Sequence, residues 1–334
     1  MKLLVTGGAG YIGSHTAHQL IEAGHDVVVL DSFVTGHRWA IHEKAQIIEG
    51  KVGDRELLKR VFSEHLFDGV LHFAAFINVG ESVRDPIKYY QNNVVSALEL
   101  FSAAAKAGVS KLIFSSTAAV YGEPEEARPL RETDPLRPMN PYGASKLMSE
   151  RILQDIARAS SGAFRYVILR YFNAAGARLD GRLGQAFPEP FHLINIASEA
   201  ALGARPKLVV YGNDYPTKDG TCERDYVHVE DLARAHVLAL EYLEGGGQPD
   251  VFNVGYGHAS SVLEVIQAFK KATGKDFPVE IGPRRPGDPS YLAADSRKIR
   301  ETLGWEPKYD DLELICKTAF EWERIYRSKR FHGA

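Results

Sequence analysis

Cysteine is nearly absent from this chain, and long apolar runs are missing. The two cysteines in 334 residues, Cys222 and Cys316, are too few for a disulfide scaffold and lack metal-site spacing. No stretch approaches the ~20 apolar residues of a membrane span, and the apolar run after Met1-Lys2 is too short for a signal peptide. We therefore expect a cytoplasmic protein with no metal site and no membrane partner.

The chain also lacks a large excess of positive or negative charge. The formal net charge of -3 argues against general binding of polyanions such as nucleic acid, although a local basic pocket could hold a diphosphate. The composition, 45% hydrophobic and 25% charged, is typical of a soluble globular enzyme. The length exceeds one ordinary core, so we expect two domains or one large, elaborated α/β domain.

Short apolar segments alternate with amphipathic helices through the first half of the chain. Continuous apolar runs suit strands that are covered on both faces, and the regular alternation predicts an α/β fold with a doubly wound parallel Rossmann sheet. Two of the helices begin at prolines, one near Pro86 that ends at Gly108 and one near Pro141 that ends at about Ser160. The predicted strands are Lys2–Thr6, Asp26–Asp31, Ala45–Glu49, Gly69–Phe73, Lys111–Ser115 and Arg165–Tyr171.

The alternation stops after Tyr171, where residues 174–225 are rich in glycine and proline. We therefore predict a Rossmann domain over residues 1–175 and a smaller substrate-binding α/β domain over residues 176–334. Segments near 230–255 are expected to return to the first domain. The later predicted elements are a helix Glu230–Leu243, a strand Val251–Gly255, a helix after Ser260-Ser261 and a tail helix near Asp311–Tyr326.

The segment Thr6–Gly13 holds glycines at positions 7, 8, 10 and 13, directly after a predicted strand and at the start of a helix. Glycine allows a tight turn there and a close approach of the backbone to a pyrophosphate, while the helix N-terminus attracts the phosphates. Asp31 ends the second strand, 18 residues after Gly13. A carboxylate at that place accepts hydrogen bonds from a ribose diol and repels a 2′-phosphate, which favours NAD over NADP.

Tyr142 and Lys146 lie four residues apart on the helix that begins at Pro141, so both side chains occupy one face. We expect the ammonium to lower the pKa of the phenol, and the positive nicotinamide of NAD to add to this effect. The phenol could then act as a general base toward a sugar hydroxyl. Such pairs are common on helices and usually carry no function. Here the preceding strand ends in Ser115-Ser116-Thr117, at the sheet edge where open α/β sheets bind their ligands.

These motifs together resemble the extended short-chain dehydrogenase/reductases. Further runs across nearly the whole chain are similar to the UDP-glucose 4-epimerase family within that group. The most specific of them are Gly212-Asn213-Asp214-Tyr215-Pro216-Thr217 and Arg224-Asp225-Tyr226-Val227-His228-Val229.

The resemblance implies reversible epimerisation of UDP-galactose and UDP-glucose at carbon 4 through a 4-keto intermediate, with NAD tightly bound. It assigns Tyr142 as the base, Lys146 as its partner and Thr117 as a hydrogen-bond partner of the same substrate oxygen. The residues implied for the cofactor, besides Tyr142 and Lys146, are Gly7, Gly10, Tyr11, Ile12, Gly13, Asp31, Ser32, Thr35, Gly36, Val52, Phe73, Ala74, Ala75, Asn93, Ser115 and Tyr171. Those implied for the substrate, besides Thr117, are Asn173, His192, Leu193, Tyr211, Arg224, Tyr226, Arg285, Asp288 and Leu292.

The chain departs from the family's pattern at four positions. Lys51 replaces an aspartate that binds adenine, and Ile77 replaces a lysine near the phosphates, which puts cofactor affinity in question. His192 stands in place of an amide that binds substrate, and Asn195 in place of a proline. Leu292, four residues after Asp288, is implied to limit the room for the turning sugar and to disfavour N-acetylated sugars, unless it is simply a core residue of a strand.

Other functions stay open at this stage. A UDP-xylose/UDP-arabinose 4-epimerase would use the same chemistry, and a catalytically inactive NAD-sensing protein could keep the fold. A dehydratase would need Asp-Glu after Thr117, where this chain has Ala118-Ala119. The apolar face of the helix after Pro86 could be core, but the resemblance implies a homodimer that packs through it. That face consists of Val94, Val95, Leu98, Phe101 and Ala105.

Overall fold

The computed structural model describes residues 1–285 and 287–329. Its centre is a sheet of seven strands, all parallel, in the order β11-β6-β5-β4-β1-β2-β3. This is the strand order of a doubly wound sheet, and the predicted fold class is confirmed. The strands are β1 (Lys2–Thr6), β2 (Asp26–Asp31), β3 (Gln46–Glu49), β4 (Gly69–His72), β5 (Lys111–Thr117), β6 (Arg165–Tyr171) and β11 (Asp250–Val254).

Helices cover both faces of this sheet. Successive residues of a strand point to opposite faces, so Leu3 and Val5 pack with helices α1 and α8, whereas Leu4 packs with α2, α5 and α6. The helices are α1 (Tyr11–Glu22), α2 (Arg55–Glu64), α3 (Val79–Arg84), α4 (Pro86–Tyr89), α5 (Ser96–Lys106), α6 (Pro141–Ala159), α7 (Leu193–Ala201), α8 (Val229–Glu244), α9 (Val262–Thr273), α10 (Arg297–Leu303) and α11 (Leu312–Lys329). Within the described ranges, no helix is long and apolar enough to cross a membrane.

Within the described residues, seven further short strands lie outside the large sheet. They form two parallel pairs, β10-β7 and β13-β8, and a three-stranded sheet, β12-β9-β14. The division into domains at residue 175 stays a prediction, although β11 pairs with β6 in the large sheet. The strands are β7 (Asn173–Ala175), β8 (Leu208–Tyr211), β9 (Glu223–Arg224), β10 (Tyr226–His228), β12 (Ser260–Ser261), β13 (Val279–Gly282) and β14 (Tyr291–Leu292).

The continuous helix predicted from Pro86 to Gly108 is wrong in one respect. The segment Tyr90–Val95, between α4 and α5, is a π-helix, whose wider turn accommodates an extra residue. Asn93 lies in this segment and is buried. The strands β1, β2 and β6 have the predicted bounds, and the other predicted strands differ by one or two residues at an end.

Candidate active site

In the turn between β1 and α1, the glycines allow backbone segments to pack directly against each other. Gly7 has φ +73°, and a Cβ placed on it would lie 2.6 Å from the nitrogen of Ala74. A Cβ on Gly13 would lie 2.2 Å from the oxygen of Gly7. The capping residue of α1 is Gly10, so the first N–H groups of the helix are left for an anion. This cradle, which any side chain would fill, fits the pyrophosphate of a dinucleotide.

Asp31 lies at the carboxyl end of β2 and faces this turn. Its carboxylate accepts hydrogen bonds from the backbone N–H of Ala9 and of Phe33, each at 2.9 Å. A carboxylate has further lone pairs, so Asp31 can still accept from a ribose diol. Ser32 and Thr35 follow on an exposed loop, and a Cβ on Gly36 would lie 2.9 Å from a carboxylate oxygen of Asp31.

The other predicted cofactor residues are also at the carboxyl edge of the sheet. Asn93 joins two elements there, because its side chain exchanges hydrogen bonds with the backbone of Phe76 at 2.9 Å and donates to Ser145 at 3.1 Å. Ser115 lies on β5 and bonds to Tyr171, at the end of β6. Val52 follows β3, and Phe73, Ala74 and Ala75 follow β4.

Thr117, Tyr142 and Lys146 meet where β5 ends and α6 begins. Asn140 caps α6 by accepting from the N–H of Gly143 at 2.9 Å. A Cβ on Gly143 would lie 2.5 Å from the oxygen of Ala119, so glycine allows the helix to come this close to the strand end. All three side chains of the trio are buried.

Burial is the main cause of the pKa shifts of Tyr142 and Lys146. Burial raises the pKa of Tyr142 to about 12, and a hydrogen bond with Thr117 acts in the opposite direction. Burial lowers the pKa of Lys146 to about 7, against the charge of Glu150. Burial therefore acts against the lowered phenol pKa that the sequence predicts. The amine of Lys146 lies 4.5 Å above the ring of Phe114.

A buried ion pair supports this trio, and the motifs did not indicate it. Arg170 on β6 donates to the carboxylate of Glu150 on α6 at 2.6 Å, and the hydroxyl of Ser116 donates to the same carboxylate. Glu150 lies one turn beyond Lys146 on the same helix. His236 gives a second support, because its Nε2 lies 2.9 Å from the hydroxyl of Ser115 and burial lowers its pKa to about 4.

Four of the predicted substrate residues form a basic cluster. Arg224 on β9 donates to one oxygen of Asp288 at 2.6 Å, and Arg285 donates to the other oxygen at 3.0 Å. The guanidinium of Arg285 also lies 4.7 Å above the ring of Tyr211, at the end of β8. Two guanidinium groups and one carboxylate leave a positive site of the kind that binds a diphosphate.

The remaining predicted substrate residues surround this region. Asn173 and Tyr226 are neighbours in the β10-β7 pair. His192 and Leu193 begin α7, and burial together with the charge of Arg285 lowers the pKa of His192 to about 4. Leu292 is 7% exposed on β14, in the position of a core residue of a strand, which is the alternative left open by the sequence. It packs in an apolar cluster with Ala118, Val120, Tyr121, Leu130, Phe172 and Ala294.

The four residues that differ from the family's pattern also differ in how buried they are. Lys51 is exposed in the turn after β3, and Ile77 is half-buried before α3. The Nδ1 atom of His192 lies 2.7 Å from the side-chain nitrogen of Gln185. Asn195 is buried on α7. None of these side chains displaces the trio.

These features are typical of a nucleotide-binding α/β enzyme: a Rossmann sheet with a glycine turn, a buried Tyr–Lys pair and a nearby arginine pair. The model of the NAD dependent epimerase/dehydratase family matches residues 3–255, and the chain belongs to that family. The resemblance stated from the motifs and the dependence on NAD are thereby confirmed.

Curated and solved relatives agree with this assignment. The UDP-glucose 4-epimerase of Lacticaseibacillus casei is 50% identical over 96% of both chains. The crystal structure of the Bifidobacterium longum UDP-glucose 4-epimerase in complex with NAD+ and UDP has a TM-score of 0.93 at 40% identity, over 98% of this chain and 99% of that one. The Campylobacter jejuni UDP-Glc/GlcNAc 4-epimerase is 51% identical, with a TM-score of 0.85 over 97% of this chain and 99% of that one.

Proposed function

We propose that the protein interconverts UDP-galactose and UDP-glucose by inverting carbon 4 of the sugar, using tightly bound NAD. The observation that carries this proposal is the buried hydrogen bond between Thr117 and Tyr142 at the carboxyl edge of the sheet. A glycine cradle for a dinucleotide lies at the same edge, and an arginine pair for a diphosphate lies nearby. These are the parts that a redox epimerase of a nucleotide sugar needs.

The residues that would hold NAD are those of the glycine turn, Asp31, and the segments that follow β3 and β4. Lys146 would contact the nicotinamide ribose from α6, beside Tyr142. When bound, NAD supplies a hydride acceptor that oxidises carbon 4 and afterwards reduces it from the other face. Since no net oxidation occurs, the cofactor is regenerated at each turnover.

Tyr142 would take the proton of the 4-hydroxyl when carbon 4 is oxidised and return it when carbon 4 is reduced. Thr117 would hydrogen-bond the same sugar oxygen and hold it in line with the phenol. Burial favours the neutral phenol, so the phenolate has to be stabilised by positive charge. Lys146 and the positively charged nicotinamide are the groups placed to supply it.

Arg224 and Arg285 would hold the diphosphate of the substrate. Asp288 already bridges these two guanidinium groups, so it would fix their positions and keep an acceptor for the ribose hydroxyls. Asn173, His192, Leu193, Tyr211 and Tyr226 would complete the nucleotide pocket. Because the UDP group stays anchored, the 4-keto sugar can turn over and present its other face to the cofactor.

We also propose a homodimer. Val83, Ile87, Val95 and Leu98, on α3, α4, the π segment and α5, are 50%, 67%, 51% and 42% exposed. Such a run of exposed apolar side chains is typical of an isologous interface. Phe101 lies in the core instead. Leu98→Glu should convert a dimer to a monomer in light scattering, while the exposed Leu66→Glu should leave the mass unchanged.

Three further assignments are part of the proposal. The two cysteines are free and buried, which fits a cytoplasmic protein. Interconversion of UDP-galactose and UDP-glucose would place the protein in galactose metabolism. The chain divides into an NAD-binding domain over residues 1–175 and a substrate-binding domain over residues 176–334, with 230–255 packed on the first.

The test is a direct assay of purified protein with UDP-galactose and no added NADH. We expect UDP-glucose to form until the two sugars reach equilibrium, as followed by anion-exchange chromatography. A parallel reaction with UDP-xylose tests the pentose epimerase, which would convert it to UDP-arabinose faster than it converts the hexose. An NAD-sensing protein would convert neither sugar, and that result would overturn the proposal.

A further inference from the structure

His37 connects two parts of the chain that lie on opposite sides of the proposed cofactor site. Its backbone N–H donates to the oxygen of Ala9, in the glycine turn, at 2.9 Å. The Nε2 atom of its ring bonds to the oxygen of Ala186 at 2.7 Å. Residues 32–40 are therefore tied to the turn after β1 on one side and to the segment before α7 on the other.

An aromatic stack continues this connection to the last helix. The ring of Trp39 lies 5.1 Å from that of His37, stacked at 20°, and 5.3 Å from that of Trp322 on α11. Tyr326 also contacts Trp39, at 6.0 Å. We call these four side chains, His37, Trp39, Trp322 and Tyr326, the aromatic clasp.

The segment before α7 is fitted closely to this stack. The indole nitrogen of Trp322 donates to the oxygen of Gln185 at 2.9 Å. A Cβ on Gly184 would lie 2.3 Å from Cγ of Trp322, so only glycine lets the backbone lie against the indole face. The aromatic clasp thus holds residues 184–186 from two directions.

A small cavity lies between the two sides. It is lined by Gly10, Tyr11 and Thr35 on one side and by Ala186 and Phe187 on the other. The segment before α7 therefore faces the N-terminus of α1, where the pyrophosphate of a dinucleotide binds.

We infer that the aromatic clasp controls how fast NAD leaves the protein. This inference rests on the proposed function, which makes the bound cofactor a permanent part of the enzyme. With the clasp closed, residues 184–187 cover the pyrophosphate end of the site, and release requires the His37–Ala186 bond and the Trp39 contacts to break. The chemical step is assigned to Thr117, Tyr142 and Lys146, none of which belongs to the clasp, so its loss should not change that step.

The experiment measures release of NAD from the full-length protein. Protein loaded with NAD is mixed with a large excess of the fluorescent analogue etheno-NAD, and the exchange is followed with time. His37→Phe keeps the ring and removes the Nε2 donor, and Trp39→Leu removes the stack. His42→Phe is the control, because His42 lies just beyond the same loop and contacts His18 instead of the clasp.

We expect His37→Phe and Trp39→Leu to release NAD faster than wild type by roughly tenfold or more, since each loses a hydrogen bond or aromatic contacts. His42→Phe should match wild type. With saturating NAD and UDP-galactose, kcat should stay within about twofold of wild type in all three variants. Release within about twofold of wild type in folded His37→Phe protein would overturn the inference, whatever Trp39→Leu does to folding.

The experiment distinguishes a failure of this inference from a failure of the proposed function. Faster release with unchanged turnover at saturating NAD supports the clasp. Unchanged release in a protein that turns over UDP-galactose contradicts the clasp and leaves the function standing. If wild-type protein binds NAD but does not turn over UDP-galactose, the proposed function fails, and the release rates still decide the clasp.

Discussion

Tyr142 and Lys146 are buried one helical turn apart, and burial moves their pKa values in opposite directions. The pKa of the phenol rises to about 12, and that of the amine falls to about 7. Each shift opposes the charged form, so the pair by itself favours a neutral phenol and an amine that is partly deprotonated at neutral pH. A base that works near neutrality therefore depends on charge brought into the site.

Tyr142→Phe should lower kcat by roughly 10²–10⁴-fold, the usual contribution of a positioned general base. The KM for UDP-galactose and the content of bound NAD should change little, because only one hydroxyl is lost. Tyr89→Phe is the matched control, since the hydroxyl of Tyr89 is also buried but donates to Glu81 at 2.8 Å. Steady-state kinetics with UDP-galactose checks this, and wild-type turnover in Tyr142→Phe would rule out the phenol as the base.

Lys146→Met should shift the pH dependence of kcat to higher pH as well as lower its value. Removing the amine removes a positive charge beside the phenol, so the phenolate becomes less favourable and its pKa rises further. In wild type, Lys146 carries its charge fully only below its own pKa of about 7, so bound NAD has to supply part of the positive field. The pH profile of kcat is the measurement, and an unshifted profile in Lys146→Met would contradict this role.

Glu150→Gln should destabilise the protein strongly, because it leaves the guanidinium of Arg170 buried without a counter-charge. Removing one partner of a buried pair costs about 3–5 kcal/mol of unfolding free energy. Arg151→Gln, at the next residue, breaks an exposed pair with Asp155 at 3.3 Å and should cost less than about 1 kcal/mol. Urea unfolding of both variants checks the difference, and equal losses would show that the buried pair is not a main support.

The fold and the ends of the strands could be predicted from the chain because their signals are local. Apolar runs, the glycines after β1 and the hydroxyls that end β5 each identify an element from neighbouring residues. The Glu150–Arg170 pair joins residues 20 positions apart on a helix and a strand, and His37 reaches Ala186 across 149 positions. Such contacts follow from how the elements pack, which short-range patterns do not report.

The pKa of Tyr142 is a second property that short-range sequence patterns do not predict. The spacing of Tyr142 and Lys146 placed both on one face of α6, as found, but spacing says nothing of desolvation. Burial of both groups acts against the expected lowering of the phenol's pKa, so that lowering depends on the charge of bound NAD as well as on Lys146. The π segment that contains Asn93 was missed for a related reason, because its sequence has the apolar periodicity of an ordinary helix.

Leu292→Ser should relax the selectivity against N-acetylated sugars. Leu292 is 7% exposed and packs against Ala118 and Phe172, which follow the ends of β5 and β6 beside the trio. We expect wild type to prefer UDP-galactose over UDP-N-acetylgalactosamine, since a branched side chain hinders the larger group as the keto sugar turns. The measurement is the ratio of kcat/KM for the two sugars.

Tyr291→Ser tests the alternative that the neighbouring residue limits the room for the sugar, as a shift of the loop by one residue would imply. Tyr291 is adjacent on β14, and its side chain points to the other face of the strand. We expect its ratio to match wild type. Equal ratios in wild type, Leu292→Ser and Tyr291→Ser would mean that β14 does not set the preference.

The fate of the hydrogen on carbon 4 tests most directly whether bound NAD removes and returns a hydride. Purified protein is incubated with UDP-galactose that carries deuterium at carbon 4, in ordinary water and without added NAD, and the UDP-glucose formed is examined by mass spectrometry. We expect the product to keep the deuterium, because bound NAD would take the hydrogen and return it to the same carbon. Loss of the label to solvent, or no turnover until NAD is added, would rule out a hydride cycle on tightly bound NAD.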